Sequence, residues 1–189
     1  MTTLLLPGLH GSGHGHWQRR WADEVEDTIL VEQDDWDHPD LDAWLARAEA
    51  AVEENPGAFL AGHSLGAVLA VHLVTRRPDL PIAGVLLVAP ADVDRHARRY
   101  PGIAGFAPLP TAPLERPAIL VASRDDPWMK YARAAVLADM WEAALVDLGR
   151  AGHANAESGL GRWAEGLALL ERLRRIGGGI PVRRVAAAR

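Results

Sequence analysis

The chain has 189 residues, a net charge of −5 and no cysteine. That length suits one domain able to bury roughly 70% of its unfolded surface, and the missing thiols exclude a disulfide framework, a thiol nucleophile and thiolate metal sites. Mild acidity argues against nucleic acid as a partner, because phosphate binding asks for a basic face. The N-terminal apolar run Leu4-Leu5-Leu6 is too short for a signal peptide, and nothing approaches the roughly 18 apolar residues of a membrane span, so a cytoplasmic protein away from membranes is expected.

Leu4 to Leu6, closed by Pro7-Gly8, reads as a buried strand, and glycines 8, 11, 13 and 15 then make a loop. Trp17, Trp21 and Val25 recur at a spacing of four and predict a helix. Thr28 to Glu32 reads as a second strand and Asp34 to Pro39 as a polar loop. Asp40 can cap a helix through Trp44, Leu45, Ala48 and Val52 that stops at Asn55-Pro56-Gly57. Ala58 to Ala61 is a third strand. A helix through Val68, Val71, His72 and Thr75 halts before Pro78, and Ile82 to Ala89 is a fourth strand. Asp92 to Pro117 is rich in Pro and Gly and reads as irregular. Ala118 to Ala122 is a strand, Tyr131 to Met140 a helix, Ala144 to Leu148 a last strand, and Gly159 to Arg174 a final helix. Alternating apolar strands and helices predict an α/β fold: a three-layer sandwich of about six mostly parallel strands with helices on both faces. The expected organisation is one domain over 1–176 and a partly disordered tail over 177–189.

The sharpest motif is Gly62-His63-Ser64-Leu65-Gly66, a G-x-S-x-G between a strand and a helix. In that setting the serine sits on a tight, strained turn above the carboxyl end of the sheet. The flanking glycines let the turn lie against neighbouring backbone, and the helix behind it offers free N–H groups to developing negative charge. The bland alternative is a glycine-rich turn whose serine merely caps the helix.

A serine nucleophile needs a base, and the base needs an orienting acid, in the chain order Ser, acid, His. His72 lies on the helix that follows Ser64 and cannot swing back to it. Of the later histidines, His96 falls in a charged segment and reads as a solvated surface residue. His153 follows a strand, where a base could reach Ser64. Ser123-Arg124-Asp125-Asp126-Pro127 offers two acids: one to hold His153, the other to cap the helix at Trp128 or pair with Arg124. Asp126 is preferred for His153.

A tetrahedral intermediate also needs two N–H donors. Leu65 N–H, directly after the nucleophile, is one, and Leu9 N–H, in the loop after the first strand, is the choice for the other. His10, His14 and His16 could in principle hold zinc, but no carboxylate sits at ligand spacing, and they are expected to line the pocket or orient the loop. No metal or cofactor is expected. His10, His63 and Trp128 are candidate pocket residues, with Asp92 to Pro117 as a partial cover.

Taken together, Pro7-Gly8-Leu9 through Gly15-His16-Trp17-Gln18, Gly62 to Gly66, Ser123 to Pro127, and Gly152-His153-Ala154-Asn155 with Ser158-Gly159-Leu160-Gly161 and Trp163 resemble the small serine hydrolases of the YdeN and retinoblastoma-binding-protein-9 type, within the α/β-hydrolase superfamily. The resemblance covers about residues 3 to 174. It implies a hydrolase with a shortened sheet, no large lid, and a triad of Ser64, Asp126 and His153. It supports Asp126 because the family's aspartate is the one next to proline. The expected substrate is a small ester, amide or thioester, and the expected state a monomer or small homo-oligomer. The rival reading is a binding module that kept the fold with little chemistry. Acyl transfer to an acceptor other than water would use the same residues.

Overall fold

Side chains along the central strands alternate between two apolar layers, as the two-residue repeat of a strand requires. In β3 (Ala58–His63), Ala58 and Leu60 join one layer, Phe59 and Ala61 the other. In β4 (Ile82–Val88), Val85 and Leu87 oppose Leu86 and Val88, and in β5 (Ala118–Ala122), Leu120 opposes Ile119 and Val121. β1 (Thr3–Leu6) splits the same way, with Leu4 and Leu6 on one side and Leu5 on the other. Strands apolar on both faces must be covered on both faces, which is why they read as continuous runs.

A computed structural model describes residues 1–177. With β2 (Thr28–Leu30) and β6 (Ala144–Asp147), the strands form one six-stranded sheet in the order β2-β1-β3-β4-β5-β6, and every neighbouring pair is parallel. α1 (Trp17–Glu24) and α6 (Ala164–Gly177) cover the face of Leu5, Phe59 and Leu86. α2 (Leu41–Glu54), α3 (Leu65–Arg76), the short α4 (Val93–His96) and α5 (Tyr131–Met140) cover the other. This is the three-layer arrangement expected. Asp40 caps α2 as foreseen, its carboxylate accepting from Ala43 N–H at 2.8 Å. Among the described residues no helix is long and apolar enough to cross a membrane.

The chain leaves β1 for β2 on one side and returns to β3 on the other. Strand order therefore reverses at β1 and β3, and a crevice opens above their carboxyl ends, where open α/β sheets bind ligands.

Four expectations are corrected. β2 ends at Leu30, not Glu32. The stretch from 92 to 117 is not irregular throughout: it holds α4 and a 3-10 turn at Pro101–Phe106, which seats Ile103 and Phe106 in the core. The last helix starts at Ala164, not Gly159. Gly159, Gly161 and Trp163 all have positive φ (65°, 59° and 50°), so residues 159–163 turn rather than coil. Trp163 is held there by stacking at 6.0 Å on Trp21, and a Cβ at Gly166 would stand 2.2 Å from its ring. Finally, Gly177 closes α6 and is buried, so it does not belong to a tail, and the rest of the expected tail, 178–189, lies outside the described residues.

Contact between α3 and β1 is so close that a Cβ at Gly66 would stand 2.0 Å from Leu6 O and 2.4 Å from Pro7 O, backbone that cannot yield locally. Gly66→Ala should therefore cost about 3 kcal/mol or more of unfolding free energy. Gly102→Ala, where a Cβ meets nothing within 4 Å, should stay within about 0.5 kcal/mol. Urea denaturation of both variants checks this, and equal midpoints would contradict the packing described.

Candidate active site

Ser64 is the single residue between β3 and α3, with φ 53° and ψ −120°. A non-glycine residue in that region carries strain of order 1–3 kcal/mol. The turn is held because its glycines admit the neighbours: a Cβ at Gly62 would meet Gly66 O at 2.5 Å, and one at Gly8 would meet Ser64 Cβ at 2.9 Å. The strain faces the Ser64 hydroxyl out of the sheet and leaves no side-chain cap on α3.

His153 stands in the loop after β6 and Asp126 in the loop after β5, so both reach the crevice from carboxyl ends of strands. Nε2 of His153 lies 2.8 Å from Ser64 Oγ. Nδ1 lies 2.9 Å from each carboxylate oxygen of Asp126. The Asp126 carboxyl is 1% exposed and also accepts Trp128 N–H at 2.7 Å. With Nδ1–H donated to the carboxylate, Nε2 is left as acceptor for the serine hydroxyl.

Asp125 has a different task from the two foreseen for the second acid. It neither caps a helix nor pairs with Arg124, which binds Asp147 instead. Its Oδ1 accepts the Ser123 hydroxyl at 2.8 Å and Gly152 N–H at 2.9 Å, contacts that hold its carboxyl below the usual carboxylate range. It thus ties β5 to the residue before His153. Asp126 holds His153 and Trp128 N–H together, and the helix that follows begins only at Tyr131.

Gly8 brings the loop after β1 against the elbow. The N–H groups of Leu9 and Leu65 find no protein acceptor among the described residues. An open cleft of about 470 Å³ lies above Ser64, with Leu9, His10, Tyr100, Ile103 and Trp128 in its walls. Trp128 has its ring centroid 6.1 Å from that of His153. His10 stands at the mouth, Nδ1 2.7 Å from Asp37.

His63 borders the cleft, but its side chain belongs to the support beneath. It is buried, and Nε2–H donates to His153 O at 2.8 Å. His16 caps α1, its Nδ1 accepting from Gln18 N, and sits edge-on to His63 at 4.7 Å. Burial first, then the neighbouring histidines, pushes both pKa values down, His16 to about 4 and His63 well below its ordinary value. His96, expected on the surface, is half-buried against Trp128, with ring centroids 5.0 Å apart. His72 is buried in α3 and bonds Phe106 O.

Several positioning residues had no role assigned from the sequence. Trp17 Nε1–H donates to Ala154 O, next to His153. Gln18 binds Leu6 O and Ala61 O and accepts from Ser12. The Ser158 hydroxyl donates to Ala151 O and accepts from Asn155 N–H. The clue was the Gly15-His16-Trp17-Gln18 segment, a dense polar and aromatic run beside a glycine loop.

No curated protein sequence matches the chain. Among solved structures, a YdeN-like hydrolase from Pectobacterium atrosepticum is 36% identical, with TM-score 0.83 over 95% of this chain and 92% of that one. The ydeN product of B. subtilis shares 17% identity and TM-score 0.72 over 92% and 98%. Est1E from Butyrivibrio proteoclasticus, solved with ferulic acid bound, shares 13% and 0.67 over 93% and 87%, which speaks for the fold alone. The profile of the family described as "Serine hydrolase" matches residues 3–172. A profile match over nearly the whole chain and a 36% identical hydrolase of the same fold make the chain a member of the serine hydrolase family, within the α/β-hydrolase superfamily.

Proposed function

We propose that the protein hydrolyses small esters, or related amides and thioesters, through an acyl-enzyme on Ser64. The observation that carries this reading is the unbroken line from Ser64 Oγ through both ring nitrogens of His153 to Asp126, at 2.8 and 2.9 Å. His153 Nε2 takes the hydroxyl proton as Oγ bonds to the substrate carbonyl carbon. Asp126 keeps Nδ1 protonated and stabilises the imidazolium that forms. The carbonyl oxygen, now negative, accepts from Leu9 N–H and Leu65 N–H, which have no acceptor to give up among the described residues. The intermediate collapses, His153 returns the proton to the leaving group, and water repeats the sequence on the acyl-enzyme. Leu9, His10 and Trp128 form walls of the substrate cleft, and a small-molecule substrate suits its volume.

His16 and His63 are kept neutral beside His153. His63 acts through the His153 carbonyl, so it is a positioning residue. Because the folded chain resists protonating these two while the unfolded chain protonates them near pH 6.5, acid favours the unfolded state. Stability is unaffected above that pH and falls as pH drops toward about 4, the value to which His16 is pushed.

Purified protein should react with a fluorophosphonate probe and turn over p-nitrophenyl acetate. Ser64→Ala should lose labelling and about 10⁴–10⁶ in kcat. Labelling that persists in Ser64→Ala, or a folded wild type inert in both assays, would sink the reading. Asp126→Asn should lower kcat by about 10³–10⁴, whereas Asp125→Ala should lower thermal stability with little effect on kcat. Equal kcat losses would reverse the assignment of the two acids. Urea midpoints between pH 7.5 and 5 should fall more steeply in wild type than in His63→Gln, each buried histidine adding up to about 1.4 kcal/mol per pH unit. Parallel curves would show that neutral His63 is not what couples folding to pH.

A further inference from the structure

We infer that Arg99, with Arg98 and Arg95 beside it in the chain, receives an anionic group, a carboxylate or phosphate, that the substrate carries several atoms from its scissile carbonyl. This rests on the hydrolase reading above and narrows its substrate class.

The argument begins with charge. In a chain of net charge −5, three arginines fall within five positions, Arg95 to Arg99, at the end of α4 and just beyond it. All three are exposed, and none forms an ion pair among the described residues. The acids of the same segment are already engaged. Asp94 pairs with Arg133 at 3.2 Å and accepts Leu109 N–H at 3.0 Å. Asp92 is buried and caps α4. The positive charge of this segment is therefore unpaired among the described residues.

Its location ties it to the chemistry. The guanidinium of Arg99 stands 5.6 Å from the centre of the Tyr100 ring. Tyr100 and Trp128 both line the cleft, their ring centroids 4.8 Å apart, and Trp128 adjoins His153. An aromatic wall thus leads from His153 through Trp128 and Tyr100 to Arg99, which adjoins Arg98 in the chain. Glu157 also lines the cleft, and Asp37 pairs with His10 in its wall, so acids and arginines both border the substrate's path. This arrangement would turn an anionic substrate end toward the arginines, whose planar forks fit carboxylate and phosphate oxygens. In a chain of net charge −5, a preference for anionic over neutral esters would be the signature of these arginines.

The test compares esters that differ only in charge. Mono-p-nitrophenyl suberate against its methyl ester places the anion on the acyl side. 4-Acetoxybenzoate against methyl 4-acetoxybenzoate places it on the leaving-group side. The readout is the ratio of kcat/KM, anionic over neutral. In Arg98→Gln/Arg99→Gln that ratio should fall about threefold to tenfold in one of the two pairs, as expected for two exposed charge contacts. In wild type it should shrink as salt rises from 20 to 300 mM, roughly the range over which such contacts are screened. Arg172→Gln/Arg175→Gln, which removes the same charge from the exposed face of α6, should leave both ratios unchanged. Unchanged ratios in Arg98→Gln/Arg99→Gln, or an equal fall in the α6 variant, would overturn the proposal while leaving the hydrolase reading intact. A wild type that cleaves none of the four esters would remove the hydrolase reading and this inference with it.

Discussion

The site depends on one steric constraint: the backbone leaving β1 passes against the turn between β3 and α3 with no room for a side chain between them. Gly66 faces the carbonyls of Leu6 and Pro7, Gly8 faces Ser64, and Gly62 faces the first turn of α3. The strained backbone of Ser64 persists because packing on three sides leaves it no alternative. The same closeness brings the loop that carries Leu9 against the turn that carries Ser64 and Leu65, and all three border one cleft.

The second half of the site is built by tethering rather than by strain. His153 lies in a loop without regular structure, yet that loop is fastened at nearly every residue. Ser123 and Asp125 hold Ala151 and Gly152, His63 holds the carbonyl of His153, Trp17 holds that of Ala154, and Ser158 closes the loop on itself. Apart from Ser158, these fasteners come from β3, the loop after β5 and α1, so His153 is registered against the same sheet that carries Ser64. With its ring held by Asp126 and its loop fastened by five other groups, His153 has little freedom to lose when a substrate arrives, which is what the proposed proton transfer requires.

Much of this could be read in the sequence because it is local. Buried parallel strands are continuous apolar runs, and an elbow is five consecutive residues, so both leave a compact signature. What escaped was decided between elements. The sequence already favoured Asp126 for the imidazole, but the task of Asp125, which meets Gly152, is set only by the approach of the loop after β6. His63 does border the cleft, but its bond to the His153 carbonyl escaped; strand alternation pointed to it, since Phe59, Ala61 and His63 share a parity and Phe59 faces the tryptophan layer. The start of α6 escaped because Trp163 sits in a left-handed conformation favoured by aromatic stacking, which no local propensity reports. His96 looked solvated among arginines, and its cover by Trp128 is a tertiary fact.

The central claim is that Ser64 becomes covalently acylated. The most direct measurement is rapid-quench reaction with p-nitrophenyl acetate, followed by mass analysis of the digested protein. The account predicts a burst of p-nitrophenolate approaching one equivalent and an acetyl group on the peptide that contains Ser64. Turnover with no acetylated peptide, or with the acetyl group on another residue, would contradict it.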